Sequence, residues 1–216
     1  MLQGPVYFNA MRVELPIKAI YARLGFRKGM TAIRDAEKSR VEASIEDAVG
    51  IVQLRGAACV LGLMAVGKDG VELQDGTVFS SSALARMLSG CDQVLLMAAS
   101  AGQDIMDAIS SATRSDNLSR AVVLDAVASE LTDSGLDWIM DYMNQELTRK
   151  ARRLTRARFS AGYGDFLLEN QKAMHRILGL DAIGVSITNS SILIPEKSVT
   201  AVAGVVPAKQ HMRVKR

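Results

Sequence analysis

The sequence predicts an α+β domain built on a largely antiparallel, twisted sheet with flanking helices. Three observations carry this. Apolar and β-branched stretches come in runs separated by helical patterns, without the regular β-α-β alternation of a parallel sheet. Asp69-Gly70 and Asp75-Gly76 flank Val71-Glu72-Leu73, and Thr77-Val78-Phe79 follows, which is the turn chemistry of an antiparallel hairpin. Three further β-branched stretches, at 184–188, 191–194 and 199–206, close the chain.

Taken in order, residues 1–10 precede a second methionine at Met11 and read as a vector-derived or disordered leader outside the fold. Residues 11–208 are expected to form one domain, and 209–216 a basic tail. Over 31–49, Ile33, Ala36, Ile45, Ala48 and Val49 share a face while the charged residues fall elsewhere, which predicts an amphipathic surface helix. Gly56–Val66 is a continuous apolar run, expected as a buried strand and too short to span a bilayer. After the hairpin, Ser80–Ser82 offers a cap for a short helix ending at Gly90. Asp92–Ala99 alternates little and predicts an internal strand, followed by a helix over 103–113. A long helix is expected from Asn117 to about Leu154, with Leu118, Val122, Leu124, Ala128, Leu131, Ile139, Tyr142 and Met143 supplying its apolar stripes. Gly135 lies near its middle as a candidate kink. A last helix over 167–178 stops at Gly179.

Composition limits the function classes. The 216 residues are 49% hydrophobic and 23% charged, an ordinary balance for a soluble chain with a proper core. A net charge of +3 is too small to argue for nucleic acid. Much of it sits in Arg149–Arg158 and Lys209–Arg216, either a solvated helix end and tail or a dock for an acidic partner. Cys59 and Cys91 lie in no metal or redox motif and read as reduced thiols of a cytoplasmic protein. His175 and His211 have no second ligand at metal spacing. Gly62–Asp69 resembles a phosphate loop, but Asp69 stands where a hydroxyl must hold magnesium, and a turn follows where a helix is required. No Ser-His-acid or Cys-His grouping can be assembled. The chain therefore suits binding and positioning a reactive cofactor better than acid–base chemistry of its own.

The richest stretch is Arg158-Phe159-Ser160-Ala161-Gly162-Tyr163-Gly164-Asp165. An arginine offers a planar fork of donors for a carboxylate. Gly162 and Gly164 let the backbone turn sharply and approach a ligand. The same residues also make an ordinary turn. Asp133 and Asp137 lie four apart on the long helix and share a face, either as a solvated acidic edge or as ligand contacts.

Arg158-x-x-x-Gly162-Tyr163, then Gly184-x-x-Ile187-Thr188-x-Ser190, then Pro195-x-x-Ser198-Val199 follow one another in fixed order. This succession resembles the reactivation (S-adenosylmethionine-binding) domain of cobalamin-dependent methionine synthase. Upstream, Leu88–Asp92, then Leu95–Gly102 and Leu124–Ala126, are similar to short, free-standing relatives of that domain, so the resemblance covers roughly residues 80–205. It implies a methionine synthase activation domain-like fold and a site at Asp133, Arg158, Ser160, Ala161, Gly162, Tyr163 and Gly164. Arg158 would take the carboxylate of S-adenosylmethionine, and Asp133 its ammonium. Ser160 and Gly162 would supply backbone contacts, and Tyr163 would lie near the cationic sulfur as a cation–π partner. Ala161 replaces the proline usual before Gly-Tyr, which leaves the turn less pre-set.

In that family, cobalamin that has slipped to cob(II) is reduced by one electron and trapped by the methyl group of S-adenosylmethionine. Neither histidine here lies in the Asp-x-His-x-x-Gly signature of the cobalamin-carrying module. The resemblance therefore implies cobalamin on a separate corrinoid protein and a flavodoxin- or ferredoxin-like electron donor, with no nucleic acid and no membrane as partners. The alternative is a cofactor-free interaction or assembly subunit of a corrinoid methyltransferase complex. A doubly wound S-adenosylmethionine methyltransferase is disfavoured, because the glycine-rich loop after a first strand is missing.

Overall fold

Val94 to Ala99 are buried at every position, so a strand through them needs cover on both faces, since successive side chains point to opposite sides. A computed structural model, describing residues 4–26 and 34–208, provides that cover. In chain order the elements are β1 (Val6–Phe8), α1 (Ile17–Arg23), α2 (Asp35–Ile51), β2 (Arg55–Val66), β3 (Gly70–Leu73), β4 (Val78–Ser80) and α3 (Ser82–Met87). Then come β5 (Gln93–Ser100), α4 (Gln103–Arg114), α5 (Leu118–Thr148), β6 (Arg152–Phe159), α6 (Gln171–Leu178), β7 (Ser186–Ile187), β8 (Leu193–Ile194) and β9 (Ser198–Pro207). Seven strands form one antiparallel sheet in the order β4-β3-β2-β5-β9-β6, with β1 paired to the first half of β2. A small β7–β8 hairpin stands apart. The α+β architecture with a largely antiparallel sheet is thus the one expected.

Val94, Leu96, Ala98 and Val202 face α3 and α6 on one side of the sheet. Leu95, Met97, Ala99, Ala201 and Ala203 face Leu136, Ile139 and Met143 of α5 on the other. The first half of α5 packs instead with α1, α2 and α4. Both Asp-Gly turns form as expected, the second fixed by Asp75 accepting from the Thr77 amide at 3.0 Å. Ser81 caps α3 by accepting from the Leu84 amide at 3.0 Å. Gly179 ends α6 in the left-handed conformation.

Several expectations need correction. Residues 6–8 of the supposed leader are β1, paired with Ala58–Gly56, and Phe8 makes edge contacts with Trp138 and Tyr142 at 5.2 and 5.1 Å. The long helix ends at Thr148 rather than near Leu154, and Arg152–Phe159 is a strand. Gly135 does not interrupt it. A Cβ there would lie 3.2 Å from Ala99 and 3.3 Å from Leu54 and Met11, so the glycine lets α5 approach the sheet closely. Leu118, Val122 and Tyr142 of the predicted stripe are exposed. On α2, Ile45 and Ala48 are buried while Ala36 and Val49 are exposed; Ile33 lies outside the described residues. The tail at 209–216, with His211, also lies outside them.

Candidate functional site

Arg158 sits on β6, an edge strand whose one sheet neighbour among the described residues is β9. Leu154 pairs with Val205 but Arg158 with Ala203, so four residues of β6 advance where β9 advances two. Two extra residues preserve the alternation of side chains. Arg158 therefore falls on the α5 face and Phe159 on the opposite face, where Phe159 joins the α3–α6 core. The irregularity is held by Thr155, whose Oγ1 accepts from the Gly204 amide at 3.0 Å. Bulges of this kind commonly redirect a side chain near a site.

On the α5 face, Arg158 meets both carboxylates of the i, i+4 pair. Its Nη2 donates to Asp133 Oδ1 at 2.7 Å, and its Nη1 donates to Asp137 Oδ1. The guanidinium is 22% exposed, the two carboxylates 59% and 67%. Burial alone would pull the Arg158 pKa down, but Asp137 and Asp133 more than offset this and hold it above its ordinary value.

Asp133 also belongs to a second feature, a groove of about 230 Å³ between α5 and the start of β9. Ser129, Thr132 and Asp133 form one wall, Glu196–Val199 the other, and Arg23 of α1 lies at one end. The β9 wall is pinned down: the Lys197 carbonyl accepts from the Ala101 amide at 2.9 Å, and Ser198 Oγ donates to Ser100 Oγ at 2.8 Å. Lys197 Nζ pairs with Asp125 at 2.7 Å and donates to Ser129 at 2.9 Å. Arg158 and the Pro195–Val199 motif, some forty residues apart in sequence, thus both reach Asp133.

The glycine turn lies beyond Arg158. Gly162 and Gly164 have φ of +92° and +55°, values that disfavour a side chain. The Gly162 amide donates to the Phe166 carbonyl at 2.7 Å, and the Phe166 amide to the Tyr163 carbonyl at 3.0 Å. Ser160 is half-buried, and Ala161 is buried in the core with Phe159 and Phe166. Tyr163 is 68% exposed at the tip and does not line the groove. The middle motif is structural: Thr188 Oγ1 accepts from the Ile192 amide at 3.0 Å, closing the β7–β8 turn, and Ser190 is exposed there.

Sequence reasoning missed both ion pairs of Arg158: it assigned Asp133 to a ligand's ammonium and gave Asp137 no partner, although their shared face was visible. It also missed Glu196 and Lys197, which lie inside a motif it had marked. Asp165 went unassigned. Its carboxylate accepts from Ser81 Oγ at 2.6 Å and from the Ser82 amide at 2.7 Å, tying the glycine turn to the start of α3. The Ser81 hydroxyl, and then the Ala83 and Ser82 amides, hold the Asp165 carboxyl below the usual carboxylate range.

Elsewhere, His175 shares a hydrogen bond with the Val185 carbonyl at 2.9 Å. The Gly62–Asp69 segment is a strand entering a hairpin, with no following helix. Among the described residues, no His, Cys, Asp and Glu side chains gather into a metal-binding group, and no helix is long and apolar enough to cross a membrane.

No family model matches the sequence, and neither does any curated protein sequence. Solved structures do match. The crystal structure of the MetH reactivation domain bound to AdoHcy superposes with a TM-score of 0.64, over 96% of this chain and 82% of that one. The chain has the reactivation-domain fold. At 13% identity the likeness is one of backbone architecture. The side chains at the sheet edge must therefore be judged on their own chemistry.

Proposed function

We propose that this chain binds S-adenosylmethionine beside Arg158 and serves as a reactivation subunit for a separate corrinoid protein. The observation that carries the reading is the meeting of Arg158, Asp133 and the Glu196–Val199 wall at one sheet edge. An amino-acid end has a carboxylate and an ammonium on one carbon. Arg158 suits the first and Asp133 the second, so the two internal ion pairs of Arg158 would be exchanged for two intermolecular ones. A groove of about 230 Å³ falls below the usual range of about 300–1,000 Å³ for whole small-molecule ligands, and so fits the amino-acid end. The MetH domain, which shares the fold, was crystallised with AdoHcy.

When bound, S-adenosylmethionine supplies an electrophilic methyl group on sulfur. The residues of this chain need only bind and orient it, which agrees with the lack of an acid–base constellation. Arg158 and Asp133 would fix the amino-acid end. The Ser160–Gly164 backbone would hold the remainder, with Tyr163 available to the cationic sulfur. Arg153 and Arg156 are exposed on β6 and offer positive charge to an acidic electron donor of the flavodoxin or ferredoxin kind.

One observation favours the cofactor-free assembly subunit instead: Arg158 is already engaged by two carboxylates of its own chain. Calorimetric titration of S-adenosylmethionine into the protein and into Arg158→Ala decides between them. Saturable binding that the variant loses supports the cofactor reading. No binding to the intact protein overturns it and leaves the assembly role.

A further inference from the structure

We infer that Asp137 is a resident competitor for the Arg158 guanidinium, so that the site admits a carboxylate only when an ammonium group accompanies it. This rests on the S-adenosylmethionine reading above. Arg158 gives one end nitrogen to Asp133 and the other to Asp137, so a ligand carboxylate can gain both only by displacing residents. The other cations at the groove are engaged in the same way, Lys197 by Asp125 and Arg23 by Glu130. Among the described residues, Arg158, Lys197 and Arg23 face five carboxylates, their four partners and Glu196 on the wall. A simple carboxylate entering there meets an excess of negative charge and, among the described residues, no free donor fork. A zwitterion differs, because its ammonium gives the displaced Asp133 a new partner.

The two aspartates consequently have opposite roles. Asp133 lines the groove and can follow the ligand's ammonium, and Arg158 adjoins the groove through it, whereas Asp137, one helical turn further, meets Arg158 outside the groove. Ligand entry costs the Asp137 pair outright and only exchanges the Asp133 pair. Asp137 thereby sets affinity by positioning Arg158, without touching the ligand. Its side chain is 67% exposed, so replacing it leaves the core unchanged.

The test is calorimetric titration of S-adenosylhomocysteine into the protein, Asp137→Asn, Asp137→Ala and Asp133→Asn. This ligand has no net charge, so the long-range effect of removing a carboxylate largely cancels and local competition is read. An exposed ion pair of this kind corresponds to an affinity change of up to about fivefold. Asp137→Asn and Asp137→Ala are expected to bind about two- to fivefold more tightly, and Asp133→Asn more weakly. A merely structural role would move all three in the same direction. Unchanged or weaker binding in both Asp137 variants, with binding by the intact protein, overturns the inference and leaves the cofactor reading standing. Absence of binding in the protein and every variant overturns that reading and the inference with it. Binding confined to the Asp137 variants also overturns the cofactor reading, because the natural chain then keeps Arg158 closed to the ligand.

Discussion

Adding one methyl group at Gly56 should measurably destabilise the protein, and the structure shows where the strain falls. A Cβ on Gly56 would lie 2.7 Å from Ile139 Cδ1, 3.0 Å from Met11 Cε and 2.9 Å from the Ala98 carbonyl oxygen. The two side-chain ends can shift. The carbonyl cannot, because β2 and β5 are paired through this region. Overpacking of this kind costs about 1–3 kcal/mol, against a total stability of about 5–15 kcal/mol. With a urea slope of about 2 kcal/mol/M, Gly56→Ala should lower the unfolding midpoint by about 1 M. Ile139→Val removes the offending methyl and alone costs about 0.5–1.5 kcal/mol. The double variant should lose less than the sum, since the new methyl occupies the space the valine vacates. An unchanged midpoint for Gly56→Ala would refute the tight backbone contact of β2 with β5, and strictly additive losses would refute the close approach of α5 to the sheet that positions Asp133 and Asp137.

Other consequences follow from the same structure. Ser81→Ala removes the cap of α3 and should cost about 0.5–2 kcal/mol in urea unfolding. Asp165→Asn should lower the melting temperature at neutral pH. Because the folded carboxyl is held below its ordinary pKa, its contribution is present above the unfolded Asp value and is lost as pH falls through the lower folded one. Melting curves of the protein and variant should thus converge in acid; a gap that persists there contradicts the assignment. Burial raises the Cys59 and Cys91 thiols, with Asp75 and Asp92 adding to it, so native labelling by a thiol reagent at neutral pH should be slow and speed up on unfolding. Fast native labelling would count against their placement.

How far the sequence could be read depended on what each residue reports. The two Asp-Gly turns and the unbroken run through β5 are local signals, and both were legible. β6 was not. Four of its eight residues are arginine and only Leu154 is buried, so neither alternation nor β-branching marks it as a strand. Charge is tolerated because β6 is an edge strand, where it also discourages pairing with another chain. Arginine, leucine and alanine are good helix formers, which extended the expected helix past Thr148. β1 was hidden for a different reason: three residues carry too little pattern, and only pairing with β2 makes them a strand. At the site, Arg158 stood out by residue type, whereas spacing marked Asp133 and Asp137 equally and only the family resemblance singled out Asp133. The Arg158–Asp137 pair depends on the two-residue slip between β6 and β9, which leaves no sequence signature.

A crystal structure of the protein with S-adenosylhomocysteine tests most directly where a ligand's amino-acid end goes. The expected map shows the carboxylate on Arg158, the ammonium on Asp133 and Asp137 released to solvent. Ligand bound elsewhere, or Arg158 still held by both aspartates with ligand present, would contradict it.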